Sequence, residues 1–280
     1  MAKGEGDRRM LDYGVVTISA FEHTLSADHE MKVFSDSWLR LHRRALKSYP
    51  GWADALSVGT RPWEYSICRK AIDDHSKEHT AEMTILDAGS GLTFFPYFIH
   101  HQYPMAEIHC IDYDERLMSI FSAVNRISEY HVHYESSDMR NLRYAENSFD
   151  IIYCASVLEH TEDYESIIRE FKRVLKRSGT LVLTFDICLD GKQPISRDQA
   201  IVLLQTIRKH FSPVKNYDQN LNDVTGSNTL TSRYIVEHYP ERDPWKPKLP
   251  MLRLIARRML SKSKRYFSDL TVFGMAFKKT

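Results

Sequence analysis

The stretch Met83-Thr84-Ile85-Leu86-Asp87-Ala88-Gly89-Ser90-Gly91-Leu92-Thr93-Phe94-Phe95-Pro96 constrains this chain more than any other. It reads as an apolar strand, a glycine-hinged turn and the start of a helix. Glycines at 89 and 91 bring bare backbone amides up to a ligand with no Cβ in the way. The helix that follows points its N-terminus at the same spot, which favours a carboxylate or phosphate. In a dinucleotide fingerprint a third glycine would stand at position 94, where this chain has Phe94. That glycine allows close helix–strand packing beneath a pyrophosphate. The turn is therefore nucleotide-like without being an NAD or FAD site. Consistent with that, no tyrosine of the chain has a lysine four positions on, as a hydride-transfer Tyr-x-x-x-Lys would need.

A second short strand, Ala106-Glu107-Ile108-His109-Cys110-Ile111-Asp112, ends in acid 25 positions after Asp87. An acid there is placed to accept both hydroxyls of a ribose, with the Tyr113 ring against an adenine. Glu135-Ser136-Ser137-Asp138-Met139 closes a third strand, and Asp138 is placed to bond the exocyclic amine of that base. A fourth strand runs Ser148-Phe149-Asp150-Ile151-Ile152-Tyr153-Cys154 and leads into Ala155-Ser156-Val157-Leu158-Glu159-His160. Ile167 to Lys176 then passes through Gly179 into Thr180-Leu181-Val182-Leu183-Thr184.

In this order of elements the chain resembles the class I S-adenosylmethionine-dependent methyltransferases, of the small-molecule, methyltransferase-11-like group. The resemblance is close over about residues 83–186 and loose elsewhere. It implies an α/β, Rossmann-like class I methyltransferase fold: a seven-stranded, mostly parallel sheet with helices on both faces, its last strand antiparallel beside the fifth. It implies S-adenosyl-L-methionine as cofactor, held by Asp87, Ala88, Gly89, Ser90, Gly91, Asp112, Tyr113, Asp138, Met139 and Cys154. Asp87 would orient the cofactor's amino group, and the two glycines would admit its methionine portion. Arg61, and Tyr65 beside it, join the list because a guanidinium near the glycine turn would pair with the cofactor carboxylate. His160 and Glu159 follow the fourth strand, where this family places groups facing the transferred methyl. Histidine titrates near neutrality and suits removal of a proton from a hydroxyl or ammonium acceptor.

At 280 residues, 42% hydrophobic and 27% charged, the chain reads as a globular protein with one substantial core. A net charge of +1 supplies no basic footprint for nucleic acid, and with no Pro-Pro there is no Asn-Pro-Pro-Tyr-like segment for exocyclic base amines. The expected partner is instead a small-molecule acceptor, such as a sugar unit or a natural-product intermediate, methylated on oxygen or nitrogen. Met1 to Met10 has no apolar core of a signal peptide, and the longest apolar run, Ile151 to Leu158, is too short to span a bilayer. The four cysteines, Cys68, Cys110, Cys154 and Cys188, lie far apart and read as reduced thiols of a cytoplasmic protein. Neither they nor the 13 histidines show the spacing of a metal site.

Residues 1–80 carry helical patterns without strand alternation and read as an N-terminal helical cap; 81–280 read as the cofactor-binding domain. One helix is expected over Ser35 to Leu46 and one from Arg61, with Pro62 suited to its first turn. Another is expected over 162–177, with Thr161 as N-cap and Tyr164, Ile167, Ile168, Phe171, Val174 and Leu175 on one stripe. Ser196 to Phe211 reads as helix and Thr271 to Phe277 as the last strand. Between them, 226–268 is proline-punctuated and then basic, and reads as an inserted lid. Within it Arg233, Tyr234, His238 and Tyr239 are secondary candidates for substrate contact, and the basic run 253–265 for peripheral membrane contact. A catalytically inactive, cofactor-binding partner protein would carry the same pattern. Nothing in the sequence addresses the oligomeric state.

Overall fold

The computed structural model describes residues 11–49, 53–79, 82–192, 195–214, 224, 226–243 and 268–280. The basic run 253–265 thus lies outside the described residues. Eight strands form one sheet: β1 Gly14–Val15, β2 Thr84–Ala88, β3 Glu107–Asp112, β4 His133–Ser136, β5 Phe149–Ala155, β6 Leu175–Cys188, β7 Phe211–Pro213 and β8 Leu270–Lys279. Their order is β1-β8-β6-β5-β2-β3-β4, with β7 also pairing β8. The β2 to β6 strands are parallel, and β8 inserts antiparallel to β6 from Thr180↔Lys278 to Cys188↔Leu270. The sheet has one strand more than the seven expected. Gly14–Val15 pairs antiparallel with Phe273–Gly274, a two-residue strand too short to leave an alternation in the sequence.

From β2 the chain steps outward through β3 and β4, and returns to the other side of β2 as β5. The carboxyl ends of β2 and β5 therefore flank the point where strand order reverses, the place where open α/β sheets bind ligands. Ile85 and Leu86 in β2 and Ile151 to Cys154 in β5 are all buried, because these strands are covered on both faces. Helix α3 (Arg61–Glu78) lies across β5, β6 and β8, while α4 (Phe95–Gln102) packs on β3 and α5 (Leu117–Asn125) on β4. Two further helices, α6 (Tyr164–Val174) and α7 (Arg197–Arg208), pack on β6 and on each other. The N-terminal segment adds α1 (Ile18–Ala27) and α2 (His29–His42).

Local chemistry sets the helix ends. In α6 the cap is Asp163, whose carboxylate accepts from the Ser166 N–H, and not Thr161, whose hydroxyl turns to the Leu158 carbonyl. The helix stops at Val174, short of the expected 177, because Leu175 is already extended and begins β6. Its stripe of Ile167, Ile168, Phe171 and Val174 is buried as the periodicity predicts. A capping box of Ser196 and Gln199 starts α7. The helix expected over Ser35–Leu46 is α2, which begins at His29 and ends at His42. No helix among the described residues is long and apolar enough to cross a membrane. All four cysteines are buried and none is in a disulfide; the Cys188 thiol donates to Asp190 at 3.2 Å.

Trp63 packs against the flat backbone of Gly274 where α3 crosses β8. A Cβ at 274 would sit 2.8 Å from the indole Cη2, and the indole is wholly buried and cannot yield. Gly274→Ala should therefore destabilise the fold by about 1–3 kcal/mol through overpacking. An unchanged urea midpoint would mean that helix and strand separate there without cost.

Candidate active site

The turn after β2 has the conformation its glycines allow. Gly89 and Gly91 have φ of 77° and 51°. A Cβ on Gly89 would lie 2.5 Å from the Val157 side chain, so that position has no room for one. The Gly89 and Ser90 N–H groups both donate to the Ile111 carbonyl, at 2.8 and 2.9 Å, which ties the turn to the end of β3. The next two amides turn to side chains instead. Gly91 N–H donates to Asp112 Oδ2 at 2.8 Å, and Leu92 N–H to the Tyr49 hydroxyl at 2.9 Å. Phe94, in place of a third glycine, is wholly buried with its ring beside Phe34, Tyr65 and Phe98.

Asp87 is 5% exposed, and burial, reinforced by the negative charge of Asp112, pushes its carboxyl up to about 8. Asp112 Oδ1 accepts from the Asp114 N–H at 3.1 Å, and Tyr113 beyond it is 84% exposed. Parallel pairing of β2 with β3 thus brings Asp87, Ala88, Gly89, Ser90, Gly91, Asp112 and Tyr113 together at one edge of the sheet. Asp138 and Met139 follow β4, one strand further out; Asp138 is paired with Arg140 at 2.6 Å, which holds its carboxyl below the usual range, and Met139 packs against the core. Cys154 is wholly buried in β5, its thiol pushed up by that burial.

Arg61 and Tyr65 open α3 but point to different surroundings. The Arg61 Nη1 group donates to the Ala155 carbonyl at 2.7 Å, at the end of β5. Tyr65 is buried, with its ring stacked 4.3 Å from that of Phe95.

On the β5 side the chain builds a polar hub that the sequence reading misses. Glu64, 1% exposed, accepts from Thr60 Oγ1 at 2.9 Å, Arg61 Nη1 at 3.3 Å, Ser156 Oγ at 2.5 Å and Thr184 Oγ1 at 2.8 Å. Ser156 itself sits in the left-handed region at φ 51°, a strained position for a non-glycine residue. Glu159 and His160 lie in a short 3-10 turn, Leu158–His160. His160 is exposed at the cavity rim, and desolvation, then the Arg61 charge, lowers its pKa, which favours the neutral imidazole. Glu159 is 3% exposed; Oε1 accepts from the Asp186 N–H at 3.4 Å and Oε2 has no partner.

These groups border a cavity of about 350 Å³ that Arg61, Glu64, Ser156, Glu159, His160 and Asp186 line. Its other wall comes from the segment before the last strand: Ser232 and Ile235 of helix α8 (Ser232–His238), with Leu270 and Val272 of β8. The Ser232 hydroxyl fixes that wall by donating to Ser268 O and accepting from Leu270 N–H, at 2.8 and 2.9 Å. The Tyr234 and Tyr239 hydroxyls are engaged elsewhere, both donating to Glu22 of α1 at 3.2 Å. His238 stacks on Tyr234, and Arg233 pairs with Asp269 at 3.5 Å. Among the described residues no three His, Cys, Asp or Glu side chains are grouped to hold a metal ion.

Tyr49, Glu64, Asp186 and the Ser156–Thr184 pair are thus site residues that the sequence reading leaves out. Tyr49 precedes Pro50, and Asp186 lies in β6 two residues beyond Thr184.

Residues 86–183 match the model of a family described as a methyltransferase domain. Phosphoethanolamine N-methyltransferase 1 of Triticum aestivum is 26% identical over 145 residues, covering 51% of this chain and 28% of that protein. The ubiquinone/menaquinone biosynthesis C-methyltransferase of Desulfotalea psychrophila is 26% identical over 132 residues, covering 47% of this chain and 48% of its own length. The matched stretch therefore spans less than half of either relative. Among solved structures, coclaurine N-methyltransferase bound to N-methylheliamine and S-adenosylhomocysteine superposes with a TM-score of 0.52 at 12% identity, covering 100% of this chain and 90% of that one. The [4+2]-cyclase SpnF gives 0.53 at 18% identity, covering 87% and 94%. At those identities the likeness is one of fold.

Proposed function

We propose that this chain, whose residues 86–183 belong to the methyltransferase domain family, moves a methyl group from S-adenosyl-L-methionine to an oxygen or nitrogen of a small molecule. One observation carries the reading: Asp112 at the end of β3 meets the left-handed glycine turn after β2, a strand that borders the point where the strand order reverses. A separate cavity lies at the end of β5, on the other side of that point. The residues fit the donor. Two adjacent amides of the turn, Gly91 and Leu92, are already aimed at oxygen acceptors, and no Cβ fits at Gly89. When bound, S-adenosylmethionine supplies a methyl carbon on a positively charged sulfur. Asp112 would accept the ribose hydroxyls, Asp87 the amino group, and Asp138 and Met139 would border the adenine. Arg61, at the end of β5, would face the methionine portion.

The protein's task is then alignment of acceptor and methyl carbon, which can supply most of the acceleration. His160, neutral and bordering the cavity, is placed as the base where the acceptor must lose a proton. His160→Ala should lower turnover about a hundredfold or more while leaving S-adenosylhomocysteine affinity unchanged; wild-type rates would remove it from that role.

Asp87 gives a pH test. It must be ionised to pair with the cofactor's ammonium, yet its carboxyl is raised to about 8, so below that pH binding has to expel a proton. Affinity for S-adenosylhomocysteine should therefore rise about tenfold per pH unit from about pH 6 to 8 and level off above. Asp87→Asn should abolish the slope, and a pH-independent wild-type affinity would contradict the assignment.

A second reading has its own support, since the same fold houses a [4+2]-cyclase. In that case the chain would hold the cofactor without transferring its methyl group. The relatives named above methylate nitrogen or carbon, so they support transfer without naming the acceptor. Calorimetry with S-adenosylhomocysteine tests the common part: no binding at millimolar concentration would overturn both readings. Release of S-adenosylhomocysteine with an acceptor panel separates them.

A further inference from the structure

The cavity beside His160 carries more negative charge than its own cation balances. Its described lining holds one guanidinium, Arg61, and the three carboxylates of Glu64, Glu159 and Asp186. Arg61 and Glu64 satisfy each other: Glu64 takes its four hydrogen bonds, one of them from Arg61, which also donates to the Ala155 carbonyl. The Arg61 charge also reaches Glu159 and Asp186, but neither carboxylate accepts a hydrogen bond from it. Glu159 Oε2 is buried with no partner, and its Oε1 has only the 3.4 Å contact from the Asp186 N–H. Asp186 accepts no side-chain hydrogen bond among the described residues.

A buried carboxylate without a partner is costly, and it either keeps a proton or waits for a cation. Both groups move in the direction this predicts, Glu159 as a buried side chain and Asp186 as a half-buried one. Burial, then the charge of Asp186, pushes Glu159 well above the ordinary range, and burial, then the charge of Glu64, takes Asp186 to about 7. The other groups facing the pair do not settle it, since Arg61 is engaged with Glu64 and His160 is neutral.

We propose that the acceptor is an amine that enters this cavity as an ammonium ion, with the Glu159 and Asp186 carboxylates as its counter-charges. The proposal rests on the methyl-transfer reading above and adds the substrate class to it. A cation in the cavity supplies the donors that Glu159 Oε2 and Asp186 lack, which a neutral alcohol matches only in hydrogen bonds and an anion opposes. The neighbouring His160 then takes what the reaction must discard: one proton passes from the ammonium nitrogen to the imidazole and on to water. The freed lone pair forms the N–C bond as the methyl carbon leaves sulfur, which keeps the electrons of the C–S bond.

The test is calorimetry of the full chain, with and without S-adenosylhomocysteine, using n-butylamine and benzylamine against n-butanol and benzyl alcohol. The amines should bind at least about tenfold more tightly than their alcohol partners. Glu159→Gln should erase most of that difference and leave the affinity for S-adenosylhomocysteine as it was. Equal affinities for amine and alcohol, absence of amine binding, or a wild-type amine preference in a folded Glu159→Gln variant would each overturn the proposal. The wild-type comparison decides even if that variant does not fold. Failure to bind S-adenosylhomocysteine is a different result, and it would sink the methyl-transfer reading instead.

Discussion

Replacing Asp112 with alanine should weaken S-adenosylhomocysteine binding about a hundredfold, with a much smaller effect on stability. The Asp112 carboxylate ends β3 and already receives two backbone donors, Gly91 N–H at 2.8 Å and Asp114 N–H at 3.1 Å. It therefore shapes the glycine turn from one side and would accept ribose hydroxyls on the other. Two hydrogen bonds to a charged acceptor are worth about 3 kcal/mol together, and that difference corresponds to about a hundredfold in affinity. The side chain is half-buried, so water can reach the amides it leaves behind, and the fold should lose far less than the site. Asp112→Asn keeps the shape and an acceptor oxygen and should recover part of the loss. Calorimetry reads both variants directly. An Asp112→Ala affinity within about threefold of wild type would exclude the carboxylate from cofactor binding.

What the sequence makes legible is local. The strand–turn–helix at 83–96 declares itself because apolar runs and glycines lie within a few residues of each other, and the order of strand ends follows from the same alternation. The stripe of α6 is equally local, while its cap falls on Asp163 and not on the expected Thr161. What escapes depends on distant partners. Glu64 reads as a first-turn acid between Trp63 and Tyr65, yet its hydrogen-bond partners Ser156 and Thr184 stand 92 and 120 positions away. Tyr49 reaches the glycine turn across 43 positions. β1 exists only because β8 offers it an edge. Cys154 is the reverse case: its place in β5 is readable, but its complete burial follows from the layers on both faces of the sheet.

The hub around Glu64 should be the most sensitive point for stability. Glu64 lies on α3, Ser156 follows β5 and Thr184 is in β6, so one carboxylate joins the helix to the two strands whose ends border the cavity. Its donors are deeply placed: Thr184 is 0% exposed and Ser156 9%. Glu64→Ala removes the acceptor and leaves Thr184, Ser156 and the Arg61 guanidinium without it. Leaving the buried Thr184 and Ser156 hydroxyls unsatisfied costs about 1–3 kcal/mol each, while the partly exposed Arg61 keeps the Ala155 carbonyl. Glu64→Gln retains one acceptor oxygen but turns an NH2 group toward donors, so it should recover only part of the loss. Ser156 adds a distinguishing signature. Its φ of 51° is held against steric preference by the same bonds, so Ser156→Gly should cost less than loss of the hydroxyl alone would suggest, because glycine accepts that backbone freely. Urea unfolding of the three variants measures all of this. A loss below about 1 kcal/mol for Glu64→Ala would show that water can replace the carboxylate and that the hub does not hold helix and strands together.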